Sequence, residues 1–257
     1  MEEAGRLALD WAVTVDASVL LAVESATVRA SVAVVDKDSR VLAEASSEGA
    51  RHHSETLLPL IDSVLSEARL SLEDLAGIAV STGPGAFTSL RIGVATVKGL
   101  CFGEGPPVVA VPTLAALALT GHEAIGDLAG RCLIPTLDAR REEVYAAGYI
   151  AGQASDARLQ RILEASVFRS EELAAVLPQG GCLVGEGAEV VREGLQKHAP
   201  GLFDAATGAA CQPEARSVGR LGWQALRAGE QMDASGLIPR YVRRAEAEVQ
   251  RTAQRFE

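Results

Sequence analysis

The sequence predicts an α/β protein of two lobes built on mixed sheets. Short runs of apolar and β-branched residues alternate with stretches of helical periodicity along nearly the whole chain. Its 257 residues suit one large domain or two small ones. Apolar residues make up 48% and charged residues 23%, the balance of an ordinary globular core, which excludes a fibrous or largely disordered chain. No long linker or low-complexity block interrupts the alternation, and the lobes are expected to meet near residue 108.

The first clear element is Ser18 to Val35, SVLLAVESATVRASVAVV, two β-rich runs about a polar middle that read as a strand pair. Residues 1–18 are an N-terminal extension of weak periodicity, with a short extra helix as the other reading. From Ser54 the pattern turns helical, with Leu57, Leu58, Ile61, Val64, Leu65 and Ala68 on one broad face. Pro59 fits that helix only in its first turn and otherwise kinks it. Leu75 to Ser81, LAGIAVS, is the continuous apolar run of a buried strand. The turn Thr82-Gly83-Pro84-Gly85 cuts it.

A second helix carries Leu90, Val94, Val97 and Cys101 on one face, with Gly93 and Gly99 as small spots. Pro106 to Val111 predicts another buried strand, and Leu114 to Leu119 begins a third helix. Strands follow at Cys132–Leu137 and Val144–Ile150. The polar residues 151–162 read as a loop, Ser170–Leu177 as a helix and Cys182–Val184 as a strand. Ser217–Ala228 is an amphipathic helix, and 244–257 is a charged tail.

Charge and composition narrow the function classes. Lys and Arg number 24 against 34 Asp and Glu, a formal net charge of −10. Gripping nucleic acid needs clustered cations, so this chain is not expected to do it unaided. Cys101, Cys132, Cys182 and Cys211 form no C-x-x-C pair, which argues for small buried hydrophobes in a reducing compartment rather than a zinc ribbon or redox pair. No apolar run reaches a membrane span of about 18 residues. The N-terminus lacks a basic signal-peptide head, and a cytoplasmic location is expected.

Several motifs invite a chemical reading. Ser81 to Ser89, STGPGAFTS, joins a buried strand to a helix N-terminus, a geometry that can hold an anion. The alternative is a tight turn packed against a neighbouring helix. It is not a Walker loop, because no G-K-[ST] follows. Gly185-Glu186-Gly187-Ala188 half-resembles a dinucleotide fingerprint but lacks the third glycine, so an ordinary strand-to-helix turn is favoured. His52, His53, His122 and His198 make neither H-E-x-x-H nor H-x-x-x-H and read as solvated loop residues. Asp138 to Glu143, DARREE, offers either a ligand anchor or charges that neutralise one another. Glu24 ends the first strand, where a carboxylate can orient a metal-bound nucleotide.

Together these pieces resemble the TsaB (YeaZ) family of bacterial tRNA threonylcarbamoyladenosine synthesis. The matching segments are LAVESA from Leu21, HSETLLPLIDSVL from His53, TGPGAFTSLRIGVATVKGL from Thr82, VVAVPTLAALA from Val108, LDARREEVY from Leu137 and IPRYVR from Ile238. They run in family order over roughly residues 19–243. The glycine loop and its R-I-G helix (Gly83, Pro84, Gly85, Phe87, Arg91) are shared with the catalytic paralogue TsaD. Asp138, Arg140 and Glu143 of the D-A-R-x-x-E-V-Y element, with the short length, point to TsaB.

The resemblance implies an actin/hexokinase-like (ASKHA) fold, with lobe I at 19–107 completed by 216–243 and lobe II at 108–215. It implies a non-catalytic subunit that binds TsaD and, with it, the ATPase TsaE. TsaD transfers a threonylcarbamoyl group to the adenosine 3′ of the anticodon. A homodimer is the other assembly, tRNA is met only through the complex, and no cofactor belongs to the chain itself, ATP entering at the level of the complex. The contact with TsaD or a second copy is implied for the two helices of lobe I, placing Leu57, Leu58, Ile61, Leu65, Leu90, Val94 and Val97 at a partner surface. The competing reading is that both faces are consumed by the lobe's own core. Glu24 stands for the usual Asp, and Gly85-Ala86-Phe87-Thr88-Ser89 for G-S-F-T-G; both departures weigh against nucleotide binding. An enzyme of this fold, a phosphotransferase or a peptidase, is the rival class, and it lacks its phosphate loop, metal-binding Asp or activated nucleophile.

Overall fold

The computed structural model describes residues 18–47, 52–103, 105–126, 130–152, 159–206, 208 and 212–243, so the extension before Ser18, Cys211 and the tail from 244 lie outside the described residues. The chain builds β1 (Val19–Glu24), β2 (Ser31–Asp36), β3 (Val41–Ser46), α1 (His53–Ala68), β4 (Gly77–Gly83), α2 (Phe87–Leu100), β5 (Val108–Pro112) and α3 (Thr113–Ile125). The same succession follows again as β6 (Cys132–Asp138), β7 (Val144–Ala151), β8 (Leu159–Phe168), α4 (Ser170–Val176), β9 (Gly181–Val184), α5 (Ala188–His198), β10 (Phe203–Ala205) and α6 (Ala215–Arg227).

Each half makes a five-stranded sheet on one plan, β3-β2-β1-β4-β5 and β10-β9-β6-β7-β8. β1 and β6 are the central strands, antiparallel to β2 and β7 and parallel to β4 and β9. β1 and β4 are buried along their whole length, which is why they read as continuous apolar runs. β5 pairs with β4, so lobe I runs to Pro112 and the chain crosses to lobe II at Thr113, rather than between 107 and 108.

β8 is a ten-residue strand where a loop is expected from 151 to 162. Among the described residues it pairs only with β7, and it keeps most of its side chains in water, so its polar residues conceal it. The edge strands β3 and the three-residue β10 have no sequence expectation, whereas the apolar edge strand β5 is predicted. Pro59 lies inside α1, in its second turn, with its ring exposed, and the helix runs on to Ala68.

Alternation of side chains along the strands gives each sheet two apolar faces. In lobe I, Leu21, Val23, Val32, Val34, Ile78 and Val80 face α1 and α2, meeting Leu57, Ile61, Val64, Leu65, Val94 and Val97. On the opposite face Leu20, Ala22, Ala33, Val35 and Ala79 meet Val218 and Trp223 of α6. In lobe II, Ile134, Val144 and Leu183 face Leu173 of α4 and Val191 and Leu195 of α5. The other face, with Leu133, Leu137, Ala147 and Tyr149, is covered by Leu114, Leu117 and Ala118 of α3. The helix that closes each half therefore covers the sheet of the other. Where the two helices cross, the Thr120 and Ser217 hydroxyls hydrogen-bond at 2.9 Å in a buried contact, and Arg220 pairs with Glu123. Trp223 Nε1 donates to Val35 O at 2.9 Å, fastening α6 to β2.

The seat of α6 on the first sheet needs a thin helix. A Cβ added at Gly222 would lie 2.5 Å from the Ala79 Cβ, inside the contact distance of two carbons. Gly222→Val is expected to lower the unfolding free energy by about 1–3 kcal/mol through overpacking. Urea denaturation of the variant beside the parent measures it.

Candidate functional site

β1 and β4 end at the same edge of the first sheet, and the loop after β4 is built against that edge. Gly83 has φ +122, and a Cβ there would stand 2.5 Å from Arg240 O. A Cβ at Gly85 would stand 2.3 Å from Ala26 O. Only glycine allows the turn to lie this close to its two neighbours. Gly83 N–H donates to Thr113 Oγ1 at 3.1 Å, and Ala86 N–H to Ala26 O at 2.7 Å. The motif makes a tight turn whose neighbours are the β1–β2 turn and the C-terminal segment rather than a helix, and its Gly83 and Ala86 amides are bonded to protein oxygens. The Gly185–Ala188 turn is likewise structural, since Gly187 N–H donates to Thr136 O at 3.1 Å at the end of β6.

The C-terminal segment Ile238–Arg243 completes the site. Arg240 N–H donates to Thr82 O at 2.7 Å. The Tyr241 ring stacks on Phe87 with centroids 5.1 Å apart. The Arg91 guanidinium lies 3.8 Å over the Phe87 ring, and its Nε donates to the Tyr241 hydroxyl at 2.9 Å. On the lobe II side, Arg243 Nη1 donates to Ala139 O at 3.0 Å and Nη2 to Glu143. Glu143 also pairs with Arg169 Nε at 3.5 Å, while Asp138 accepts from the Arg140 amide at 2.7 Å and from its guanidinium at 3.3 Å. The DARREE acids and bases thus include mutual pairs. Arg140, Arg141 and Glu142 all have left-handed backbones, φ 67, 58 and 61. Such residues cost of order 1–3 kcal/mol each and persist where their surroundings over-determine them.

Beside the glycine loop, Glu24 is wholly buried. Its Oε1 accepts from the Ala26 amide at 2.5 Å, while Oε2 has no protein partner. Burial pushes its carboxyl up to about 7 from an ordinary 4.5, against the lowering effect of hydrogen bonds from Ala26, Ser81 and Ser25.

Comparison with known proteins places the chain. Residues 41–251 match the family described as TsaD, tRNA N6-adenosine threonylcarbamoyltransferase. The tRNA threonylcarbamoyladenosine biosynthesis protein TsaB of Escherichia coli is 32% identical over 211 residues, 82% of this chain and 79% of that one. The chain belongs to the TsaB (YeaZ) family. The TsaB of Bacillus subtilis is 27% identical over 249 residues, covering 89% of this chain and 96% of its own. The crystal structure of YeaZ from Pseudomonas aeruginosa superposes with a TM-score of 0.74 at 30% identity, covering 87% of this chain and 99% of that one. The paired five-stranded mixed sheets are two α/β lobes, as the sequence predicts.

Against that TsaB framework the partner residues need correction. Leu57, Ile61, Leu65, Leu90, Val94 and Val97 are between 0 and 9% exposed, and all but Leu90 belong to the cluster under α1 and α2. The sheet beneath these helices takes up their aliphatic faces, so these side chains hold the lobe together and present no surface. Leu58, at 52%, is the one of the seven that faces water. Gly93 is buried against Ser25, while Gly99 is open.

The histidines also depart from expectation. His52 and His198 are exposed, but His53 is buried at the start of α1 and His122 within α3. Among the described residues no group of three or more His, Cys, Asp or Glu side chains is placed to hold a metal ion. No described helix is long and apolar enough to cross a membrane. Sequence reasoning gave Arg240, Tyr241 and Arg243 no role beyond a family motif. Their partners lie 100 or more positions away in the chain, and only the proximity of aromatic and basic residues in IPRYVR hints at a site.

The Glu24 carboxyl has a stability consequence. Above pH 4.5 the unfolded chain releases this proton, whereas the folded chain holds it to about pH 7. The unfolded state then binds fewer protons, so stability falls as pH rises through that window, by about 3 kcal/mol in total. Glu24→Gln is expected to match the parent near pH 4.5 and to exceed it in urea resistance at pH 8. Equal midpoints at pH 8 would show that the buried charge carries no penalty.

Proposed function

We propose that the chain serves tRNA threonylcarbamoyladenosine synthesis as a non-catalytic subunit that binds TsaD and, with it, TsaE. In this reading TsaD carries the threonylcarbamoyl transfer to the adenosine 3′ of the anticodon. The tRNA is held through the complex, as a chain of net charge −10 requires, and ATP acts at the level of the complex. The relatives' names support the pathway. The observation that favours a binding subunit over an enzyme is the mouth between the lobes. Its glycine-loop amides donate to Thr113 and Ala26, and the chain's own Arg240 lies against the end of β4.

The docking surface in this proposal is the outer face of α1 and α2, not their buried aliphatic face. Leu58 projects from it, and Phe102, 92% exposed just beyond α2, extends it. Mixing the chain with TsaD from the same organism, in size-exclusion chromatography with light scattering, is expected to give a one-to-one complex. Leu58→Asp should weaken it at least about tenfold, as a central apolar contact does. Ile162→Asp, a comparably exposed site on β8, should leave it intact. Val97 is core, so a charge there would report on folding instead. Absence of a complex at tens of micromolar with tRNA, ATP and TsaE present, or substantial ATPase or peptidase activity in the chain alone, would overturn the reading.

A further inference from the structure

In open α/β sheets a ligand sits beyond the carboxyl ends of the parallel strands, where a crevice opens. Here those ends are Gly83 of β4 in lobe I and Asp138 of β6 in lobe II, and one short peptide touches both. Ile238–Arg243 holds lobe I through the Arg240 amide on Thr82 O and through Tyr241, stacked on Phe87 and bonded to Arg91. Among the described residues it holds lobe II by hydrogen bonds of Arg243, on Ala139 O and the Glu143 carboxylate.

We propose that Ile238–Arg243 is an intramolecular strap, which occupies the crevice and locks the lobes against hinging about the α3–α6 crossing. At that crossing Thr120 meets Ser217 and Glu123 meets Arg220, and the strap is a second link between the lobes. Its two ends differ in kind. The lobe I end is a backbone hydrogen bond reinforced by an aromatic stack, neither of which depends on a charge pair. The lobe II end is charge-assisted and partly open to water, so salt screens it and loss of either charge breaks it. The strap therefore releases at Arg243 first.

The lobe II anchor is also a clamp. Arg243 grips both ends of the Ala139–Glu143 turn, whose three central residues are left-handed. Two backbone bonds, Ala139 N–H to Glu143 O at 2.9 Å and Glu143 N–H to Arg140 O at 3.1 Å, close that turn from within. Releasing Arg243 leaves a strained turn with fewer constraints, so loosening spreads from the strap into lobe II. Tyr241 carries the other end to the first turn of α2, which links the lock to the helix pair of lobe I.

Hydrogen–deuterium exchange of the full chain alone, read by peptide mass spectrometry, tests the strap without any partner, so its failure is separate from failure of the subunit reading. Arg243→Ala should speed exchange at least about tenfold in peptides covering 139–143 and 240–243, leaving β1 and β6 protected, as sub-global opening does. Raising salt from low to about 1 M should move the parent toward the variant and leave the variant unchanged. Small-angle scattering should show a larger radius of gyration for the variant. Parent-like exchange in both peptides would overturn the proposal, as would salt-independent exchange in the parent. Should Arg243→Ala lose protection in β1 and β6 as well, Glu143→Gln replaces it, keeping the Arg243 bond to Ala139 O. Local loosening in that variant supports the strap, and parent-like exchange refutes it.

Discussion

Everything else in the molecule depends on the exchange of closing helices between the two halves. A five-stranded sheet with two apolar faces must be covered twice, and each half supplies its own sheet with helices for one face only. The second cover comes from the other half, α6 on the first sheet and α3 on the second. Neither lobe closes its core without the other, so the lobe interface is continuous with both cores. The buried Thr120–Ser217 contact sits at the crossing because two helices that approach closely there leave room only for small polar side chains that satisfy each other.

That exchange positions the site. With α3 and α6 crossed between the sheets they cover, the carboxyl ends of β4 and β6 lie within reach of a single peptide. The polar groups gathered there are turned toward one another. The glycine loop donates to Thr113 and Ala26, Arg91 to Tyr241, Arg243 to Glu143 and Arg140 to Asp138. Arginines in an acidic chain read as an anion site only while their partners are unknown. Here neighbouring carboxylates, carbonyls or ring faces meet four of them.

What the sequence made legible follows from burial. Strands sunk on both faces, such as β1 and β4, must be apolar at every position, and an apolar run between turns announces them. An edge strand has no such requirement, so β8 keeps polar, water-facing residues among its apolar ones and its start reads as loop. Helical periodicity shows that α1 and α2 have an apolar face but not what covers it, and the resemblance filled that gap with a partner. The internal repetition was hidden in the same way: it lies in the order and pairing of strands, while the two halves differ residue by residue.

The site was legible in its parts and not in its assembly. Glycines at 83 and 85 announce a sharp turn, and the DARREE run announces mutual pairing, both visible along a few residues. That Arg240 closes over Gly83 depends on bringing the end of the chain back past two sheets, which no local pattern encodes. Glu24 shows the limit most clearly. From the sequence it is an exposed-type residue at a strand end, a place for a metal or nucleotide to be oriented. In the fold the β1–β2 turn and the glycine loop close over it, and burial favours its neutral form. Its Oε1 takes the Ala26 amide, so the position the sequence offers to chemistry also holds the turn against which the glycine loop packs. In the proposed complex the docking surface is the outer side of the lobe I helices, and the proposed strap, through Tyr241 on Phe87, joins that surface to the crevice.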